Sequence, residues 1–317
     1  MNELQFSVII PLYNKQSRIK DTIQSVIKQT IKSFEIIVID DGSTDGGPDI
    51  VIGIDDDRVH LYRQENQGVS GARNKGIDLA QGRYVCFLDA DDTWTPDFLE
   101  TVARLYQKFP DAKMACPSYV VRYNKRVVKP NFIGVSDTEE EIVNDFLYSC
   151  TGAFWICNSS CITFERAALI ASNERFPIGE TVYEDFDLWL RFGEGHPVAH
   201  SPKVCSIYNR LTESNARKTH TSKVVYSKSF MDTLRRLLIK YTNNQLVAAS
   251  LRAIIDRRMV PFIYSLILLQ KVDDAKIQIA NWRPKRKYLI YKLGLRIALY
   301  MPNSLVRLVH SIRLSLF

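Results

Sequence analysis

Three carboxylates interrupted by a single alanine, Asp89-Ala90-Asp91-Asp92, follow the apolar run Tyr84-Val85-Cys86-Phe87-Leu88. Crowded carboxylates repel one another and resist joint ionisation. A divalent cation relieves that conflict, and hard oxygen donors suit Mg²⁺ or Mn²⁺. Mg²⁺ commonly takes one or two protein carboxylates and completes its shell with substrate phosphates. Together Asp89, Asp91 and Asp92 therefore point to a metal that holds a diphosphate. Taken alone, it also fits an acidic turn at a strand exit.

Other groups able to do chemistry stand at defined intervals. Pro11-Leu12-Tyr13-Asn14 closes the apolar run 6–10, and Asp40-Asp41-Gly42-Ser43 closes the run 34–39. Asn66-Gln67-Gly68-Val69-Ser70-Gly71-Ala72-Arg73-Asn74-Lys75-Gly76 offers Arg73, whose planar, always-charged fork suits phosphate. Tyr183-Glu184-Asp185-Phe186-Asp187 places two adjacent carboxylates at the start of a helical pattern. Each has a plain structural counterpart: a capped turn, a solvated helix charge, or carboxylates that complement a helix N-terminus. Trp189, Leu190 and Phe192 read as core.

The elements that must position these groups follow from the apolar periodicity. Buried strands are expected over 6–10, 34–39, 59–62 and 84–88, with helices between them, Ser17 capping the first and Ser70 a later one. Strands alternating with helices imply right-handed βαβ units and a parallel sheet. Such sheets bind ligands beyond their strands' carboxyl ends, where the polar clusters lie. The pattern then loosens. Helices are expected over 97–108, 139–148 and 184–192, and strands over 113–121, 126–128, 161–164 and 204–208. From about residue 220 it is helical to the end.

Composition bounds the rest. The 317 residues are 46% hydrophobic and 24% charged, ordinary for a globular protein with a sizeable core. The six cysteines form no C-x-x-C pair and no zinc spacing, so they read as reduced, packed thiols. A charged segment followed by an apolar one is missing from the first residues, and no run approaches the ~18 apolar residues of a membrane span. Of the 42 basic residues, nine lie beyond Asp274, where none of the 35 acidic residues lies. The tail thus carries +9 and the remainder, with 33 basic against 35 acidic residues, −2, which together make the net charge of +7.

In this order and spacing the four patches at 7–14, 40–45, 66–76 and 87–92, joined by Glu184-Asp185, resemble the family 2 glycosyltransferases. The resemblance covers roughly residues 5–215. It implies an α/β GT-A fold: a Rossmann-like, mostly parallel sheet with an acceptor-binding half and a helical C-terminal extension. The implied domains are a catalytic domain at 1–218 (nucleotide half 1–95, acceptor half 96–218) and a basic helical region at 219–317. It further implies an inverting transfer from a nucleotide-sugar, UDP-linked by preference, to a glycan hydroxyl. Pro11, Tyr13, Asn14 and Asp41 would hold the nucleotide, and Arg73 would face the diphosphate. Asp89 and Asp91 would match the Asp-x-Asp motif, Asp91 being the direct ligand of Mn²⁺ or Mg²⁺. Asp185 would be the base, with Glu184 beside it. Many relatives carry a His shortly after a Tyr-Arg pair following the last strand. Here Tyr208-Asn209-Arg210 has none, His200 and His220 stand elsewhere, and Arg210 is the candidate substitute.

Within the tail, Arg283-Pro284-Lys285-Arg286-Lys287 precedes an apolar helical pattern from Tyr288. A basic cluster beside an apolar helix suits an anionic membrane surface. The expected acceptor is then a glycan on polyprenyl diphosphate, and the expected location cytoplasmic, peripheral on the inner face of the membrane. A helical cap packed on the catalytic domain, a soluble or protein-bound acceptor, and a non-catalytic nucleic-acid- or membrane-binding protein stand as alternatives. The sequence carries no nucleic-acid-binding module, no G-x-G-x-x-G after the first strand and no Gly-rich phosphate loop of a nucleotidyltransferase.

Overall fold

Unbroken apolar runs make strands that are covered on both faces. In the computed structural model β1 (Phe6–Leu12) and β2 (Phe34–Asp40) run parallel through the core, nearly every residue buried. The described residues are 4–124, 126–152, 154–210, 226–302 and Val306. β3 (Val59–Arg63) lies outside β2, and β4 (Tyr84–Phe87) flanks β1 on its other side, all parallel. Helices α1 (Ile19–Ile27), α2 (Gly47–Ile52) and α3 (Gly68–Leu79) make the crossovers. α3 approaches the sheet closely at Gly76, where an added Cβ would fall 2.3 Å from Ile9 Cγ2.

The second half reverses strand direction to extend the same sheet. After β5 (Thr93–Trp94) and α4 (Phe98–Lys108) come β6 (Met114–Tyr123), β7 (Arg126–Val128), β8 (Glu141–Ile142) and α5 (Phe146–Ser149). β9 (Thr163–Glu165), α6 (Arg166–Ala171), α7 (Glu184–Gly195) and β10 (Val198–Asn209) follow. Among the described residues the strand order is β3-β2-β1-β4-β9-β6-β10-β5, with β7 on β6 and β8 on β10. β9 is antiparallel to both β4 and β6, so β6 and β10 again run in the sense of β1 and β4. The carboxyl ends of β1, β2, β4 and β10 therefore share one edge.

Some local expectations give way. The segment 139–148, expected as a helix, is held extended where Glu141 and Ile142 pair with β10, and Asp145 then caps the single turn of α5. Sheet pairing there outweighs helical periodicity. Neither Ser17 nor Ser70 caps a helix: α1 starts at Ile19 without a side-chain cap, and Ser70 is buried inside α3. Cys157 and Cys161 stand on a turn, and all six cysteines are buried free thiols.

The chain divides into two compact units, Met1–Thr212 and Glu213–Phe317. The boundary expected at 218/219 falls outside the described residues. The second unit is helical: α8 (Lys228–Lys240), α9 (Gln245–Leu268), α10 (Val272–Asn281), a 3₁₀ turn (Arg286–Tyr288) and α11 (Leu289–Ala298). Ser227 and Asn244 cap α8 and α9. The buried Asp256 carboxylate of α9 accepts the Trp282 indole N–H at 2.8 Å and the Lys285 N–H at 2.9 Å. Among the described residues no helix is long and apolar enough to cross a membrane.

Candidate active site

At the shared edge Leu12 stands opposite Asp40, and Asp40 opposite Arg63. The loop beyond β1 turns at Asn14, whose φ of 51° is one that Asn tolerates better than most residues. Its N–H donates to Ser43 Oγ at 3.1 Å, and its Oδ1 accepts the Thr44 N–H at 2.8 Å. Gln16 N–H donates to Asp45 Oδ2 at 2.8 Å, so the loops after β1 and β2 are zipped together. This leaves the Tyr13 ring 49% exposed at the mouth, with Pro11 half-buried behind it. Asp41 is buried, and its Oδ1 accepts Gln64 Nε2 and the Gln67 N–H, both at 2.8 Å. That carboxylate thus anchors the start of α3, where Gly68 takes a φ of 79°.

The three aspartates after β4 have separate environments. Asp91 pairs with Lys15 Nζ across the edge. Asp89 pairs with Arg73 Nη2 at 2.8 Å, and its own N–H donates to Ser160 Oγ at 3.1 Å. Asp92 is fully buried: Ser160 Oγ donates to its Oδ2 at 2.5 Å and the Asn209 N–H to its Oδ1 at 2.7 Å. Burial, then the charges of Asp91 and Asp89, push the Asp92 carboxyl well above the usual range. Both oxygens of Asp92 are thus engaged inside the protein. It ties β4, the 158–161 turn and the end of β10 together, a different place from that of a metal ligand. Asp92→Ala should lower stability by about 1–3 kcal/mol for each donor left unsatisfied. A thermal-melt shift within error of zero would count against this clamp.

The candidate base stands at the N-terminus of α7, where carboxylates complement the helix dipole. Tyr183 enters it at a φ of 63°, in the left-handed region. Asp185 Oδ1 accepts the Phe186 N–H at 2.8 Å, and its Oδ2 accepts Ser159 Oγ at 3.0 Å. Burial raises the Asp185 pKa, while the Arg73 charge opposes the rise. Glu184 is pushed up to about 7, by burial first and by Asp185 next, again against Arg73. Trp155 stacks on Phe186 at 4.0 Å between centroids, and Trp189, Leu190 and Phe192 are buried beneath.

Arg73 joins the two halves of the site. It is buried, donating from Nη2 to Asp89 and from Nη1 to Glu184 Oε1 at 3.1 Å. Burial alone would lower its pKa; Asp89, Glu184 and Asp185 outweigh it and hold the guanidinium charged. Arg73, expected to face a diphosphate, here contacts Asp89 of the acidic cluster directly. Arg210 donates from Nη1 to the Tyr123 hydroxyl at 3.3 Å and stands over that ring. His200 is core, its Nδ1 at 3.0 Å from the Cys116 carbonyl, with burial lowering its pKa to about 4. His220 lies outside the described residues.

Lys15, Ser159, Ser160 and Asn209 were not singled out from sequence. Lys15 directly follows Asn14 in a loop already marked, so proximity could have flagged it. Ser159 and Ser160 reach partners across loop contacts that leave no periodic trace.

Asp89 and Asp91 offer hard, partly exposed oxygens. Among the described residues no group of three or more His, Cys, Asp or Glu could hold a metal alone. That donor set fits a cation bound by one or two carboxylates plus substrate phosphates; Lys15 and Arg73 pair with Asp91 and Asp89.

Known proteins place this architecture. The model of the family "Glycosyl transferase family 2" matches residues 7–169. That match spans more than half of the chain, which belongs to that family. It is 28% identical over 247 residues to the amylovoran biosynthesis glycosyltransferase AmsB of Erwinia amylovora, covering 74% of this chain and 79% of that one. It is 29% identical over 208 residues to WfaP of Escherichia coli, named as a UDP-Glc:alpha-D-GlcNAc-diphosphoundecaprenol beta-1,3-glucosyltransferase, covering 65% and 76%. Identity reaches 50% over 97 residues of a Bacillus subtilis relative, of whose length the chain matches 38%. The crystal structure of Staphylococcus aureus TarS 1-349 in complex with UDP-GlcNAc shares the fold, with a TM-score of 0.61 at 19% identity over 92% of this chain and 79% of that chain.

Proposed function

We propose that the protein transfers a sugar from a UDP-sugar to a hydroxyl of a lipid-linked glycan, with inversion, in the biosynthesis of a cell-surface polysaccharide. The observation that carries this reading is Arg73, which bridges Asp89 of the acidic cluster to Glu184 beside Asp185. It sets a diphosphate-holding group and a proton acceptor on opposite sides of one buried cation. The names of AmsB and WfaP support the pathway and the lipid-linked acceptor, and WfaP and the TarS complex support a uridine nucleotide. The lipid-linked acceptor is the reason to place the protein on the cytoplasmic face of the membrane.

In this reading Tyr13, Pro11, Asn14 and Asp41 receive the nucleoside at the zipped loops. Asp91 and Asp89 would hold Mn²⁺ or Mg²⁺, which would neutralise charge on the leaving diphosphate. Asp185 takes the acceptor proton as the acceptor oxygen attacks the anomeric carbon. The bond to the diphosphate breaks as the new glycosidic bond forms on the opposite face, and one such displacement inverts the centre. Ser159 orients the Asp185 carboxylate. Screening UDP- and GDP-sugars with Mn²⁺, and reading the product anomer by NMR, tests donor, metal and stereochemistry together. Transfer from GDP-sugars alone, or a retained anomer, would overturn the reading.

The site also predicts a pH profile. Asp185 accepts a proton only when ionised, and burial raises its pKa. kcat/KM should therefore rise with pH along an acid limb centred above the ordinary aspartate value of about 3.9. Arg73→Met removes the charge that opposes the rise, so the limb should move to higher pH. A limb that stays put in Arg73→Met, or moves down, would show that Arg73 does not act on the base.

A further inference from the structure

Among the described residues, helix α11 carries an exposed apolar stripe. Leu289, Ile290, Leu293 and Ile297 are each more than half exposed, and Tyr300 just beyond the helix is 83% exposed. At 3.6 residues per turn these five side chains fall within an arc of about 100°. Leu295 and Ala298, both buried, occupy the opposite face. Lys292 and Arg296 border one edge of the stripe, and exposed Arg283 and Arg286 precede the helix. Residues 275–317 contain no acidic side chain.

We infer that α11 is a docking face for an anionic lipid bilayer and lies parallel to its surface. Ile290, Leu293, Ile297 and Tyr300 enter the boundary between headgroups and acyl chains, while the exposed Arg286 and Arg296 meet the headgroup phosphates; Lys292, whose Nζ donates to the Trp282 carbonyl, ties the helix to the segment before it. An apolar face with a cationic edge is the pattern of helices that lie in the membrane interface. Charge complementarity selects this occupant. A second copy of α11 would bring Lys292 and Arg296 towards like charges with no local carboxylate to pair them. A nucleic acid would engage the cations and leave the stripe wet. The inference deepens the reading of a membrane-held acceptor and rests on it for its purpose.

Substitutions test this better than deletion. Trp282 and Lys285 satisfy the buried Asp256 carboxylate, and Lys285 Nζ donates to the Ala249 carbonyl at 2.6 Å. Cutting before them would orphan that charge and unsettle the helical unit. The full-length protein should float with phosphatidylglycerol-containing vesicles far better than with pure phosphatidylcholine, and salt should weaken the binding. The triple variant Ile290→Glu, Leu293→Glu, Ile297→Glu alters only exposed positions and should keep its circular dichroism and melting temperature. Its partition onto anionic vesicles should fall at least roughly tenfold, since both apolar insertion and charge attraction are lost. Arg286→Gln with Arg296→Gln, both at exposed positions, should lose about fivefold per residue on anionic vesicles only.

Equal flotation of wild type and the triple variant would overturn the inference. So would a dimer, seen by light scattering, that the same substitutions dissociate, because the stripe would then be a contact between copies. Transfer to a soluble acceptor analogue, measured on the same samples, separates the two readings. Transfer without flotation removes the docking face and leaves the proposed function. Flotation lost in the triple variant, with no transfer to any acceptor, supports the docking face and removes the function.

Discussion

Asp91→Ala should abolish divalent-dependent UDP binding and bring turnover down by roughly 10³-fold or more. A metal at a leaving diphosphate supplies several kcal/mol of transition-state stabilisation, and about 1.36 kcal/mol is tenfold in rate. The fold should survive. Among the described residues the Asp91 carboxylate pairs with Lys15, and both side chains are partly exposed, so the ion pair is worth about 0–1 kcal/mol. Calorimetry of UDP with Mn²⁺ separates loss of the site from loss of the fold. A variant that turns over at the wild-type rate in EDTA would remove Asp91 from the metal site.

Asp185→Asn should retain donor binding while transfer falls by about 10²–10⁴-fold, the usual contribution of a positioned general base. The replacement is nearly isosteric. Its amide oxygen can still accept the Phe186 N–H, and its amide nitrogen can donate to Ser159 Oγ, which Asp185 now meets at 3.0 Å. What it loses is the ability to take a proton. Single-turnover transfer and equilibrium UDP-sugar binding, measured side by side, decide the matter. Loss of donor affinity with an unchanged chemical step would make Asp185 a binding residue and leave the base to be found elsewhere.

Much of the catalytic unit was legible in the chain itself. The apolar runs 6–10, 34–39 and 84–88 have the composition of doubly covered strands, and β1, β2 and β4 stand there. Their polar exits mark the ligand edge because parallel strands present their carboxyl ends together. The less regular half resisted such reading. Glu141-Ile142 looks helical by spacing, yet β10 claims it as a strand partner through contacts nearly 60 residues away.

The sequence by itself determined the family, the parallel N-terminal half of the sheet and the residue types of the site: crowded carboxylates, a planar cation and an acidic helix start. These are local patterns, written in consecutive residues. Only the tertiary structure decided how the carboxylates divide their work. Asp92 turns inward to Ser160 and Asn209, Asp91 faces Lys15, and Asp89 shares Arg73 with Glu184 across 111 residues of sequence separating Arg73 from Glu184. Adjacent side chains on a turn point in different directions, and each is given its role by the partner that meets it there. Those partners arrive from distant segments whose spacing carries no period, so burial and pairing assign the roles only once the chain has closed on itself.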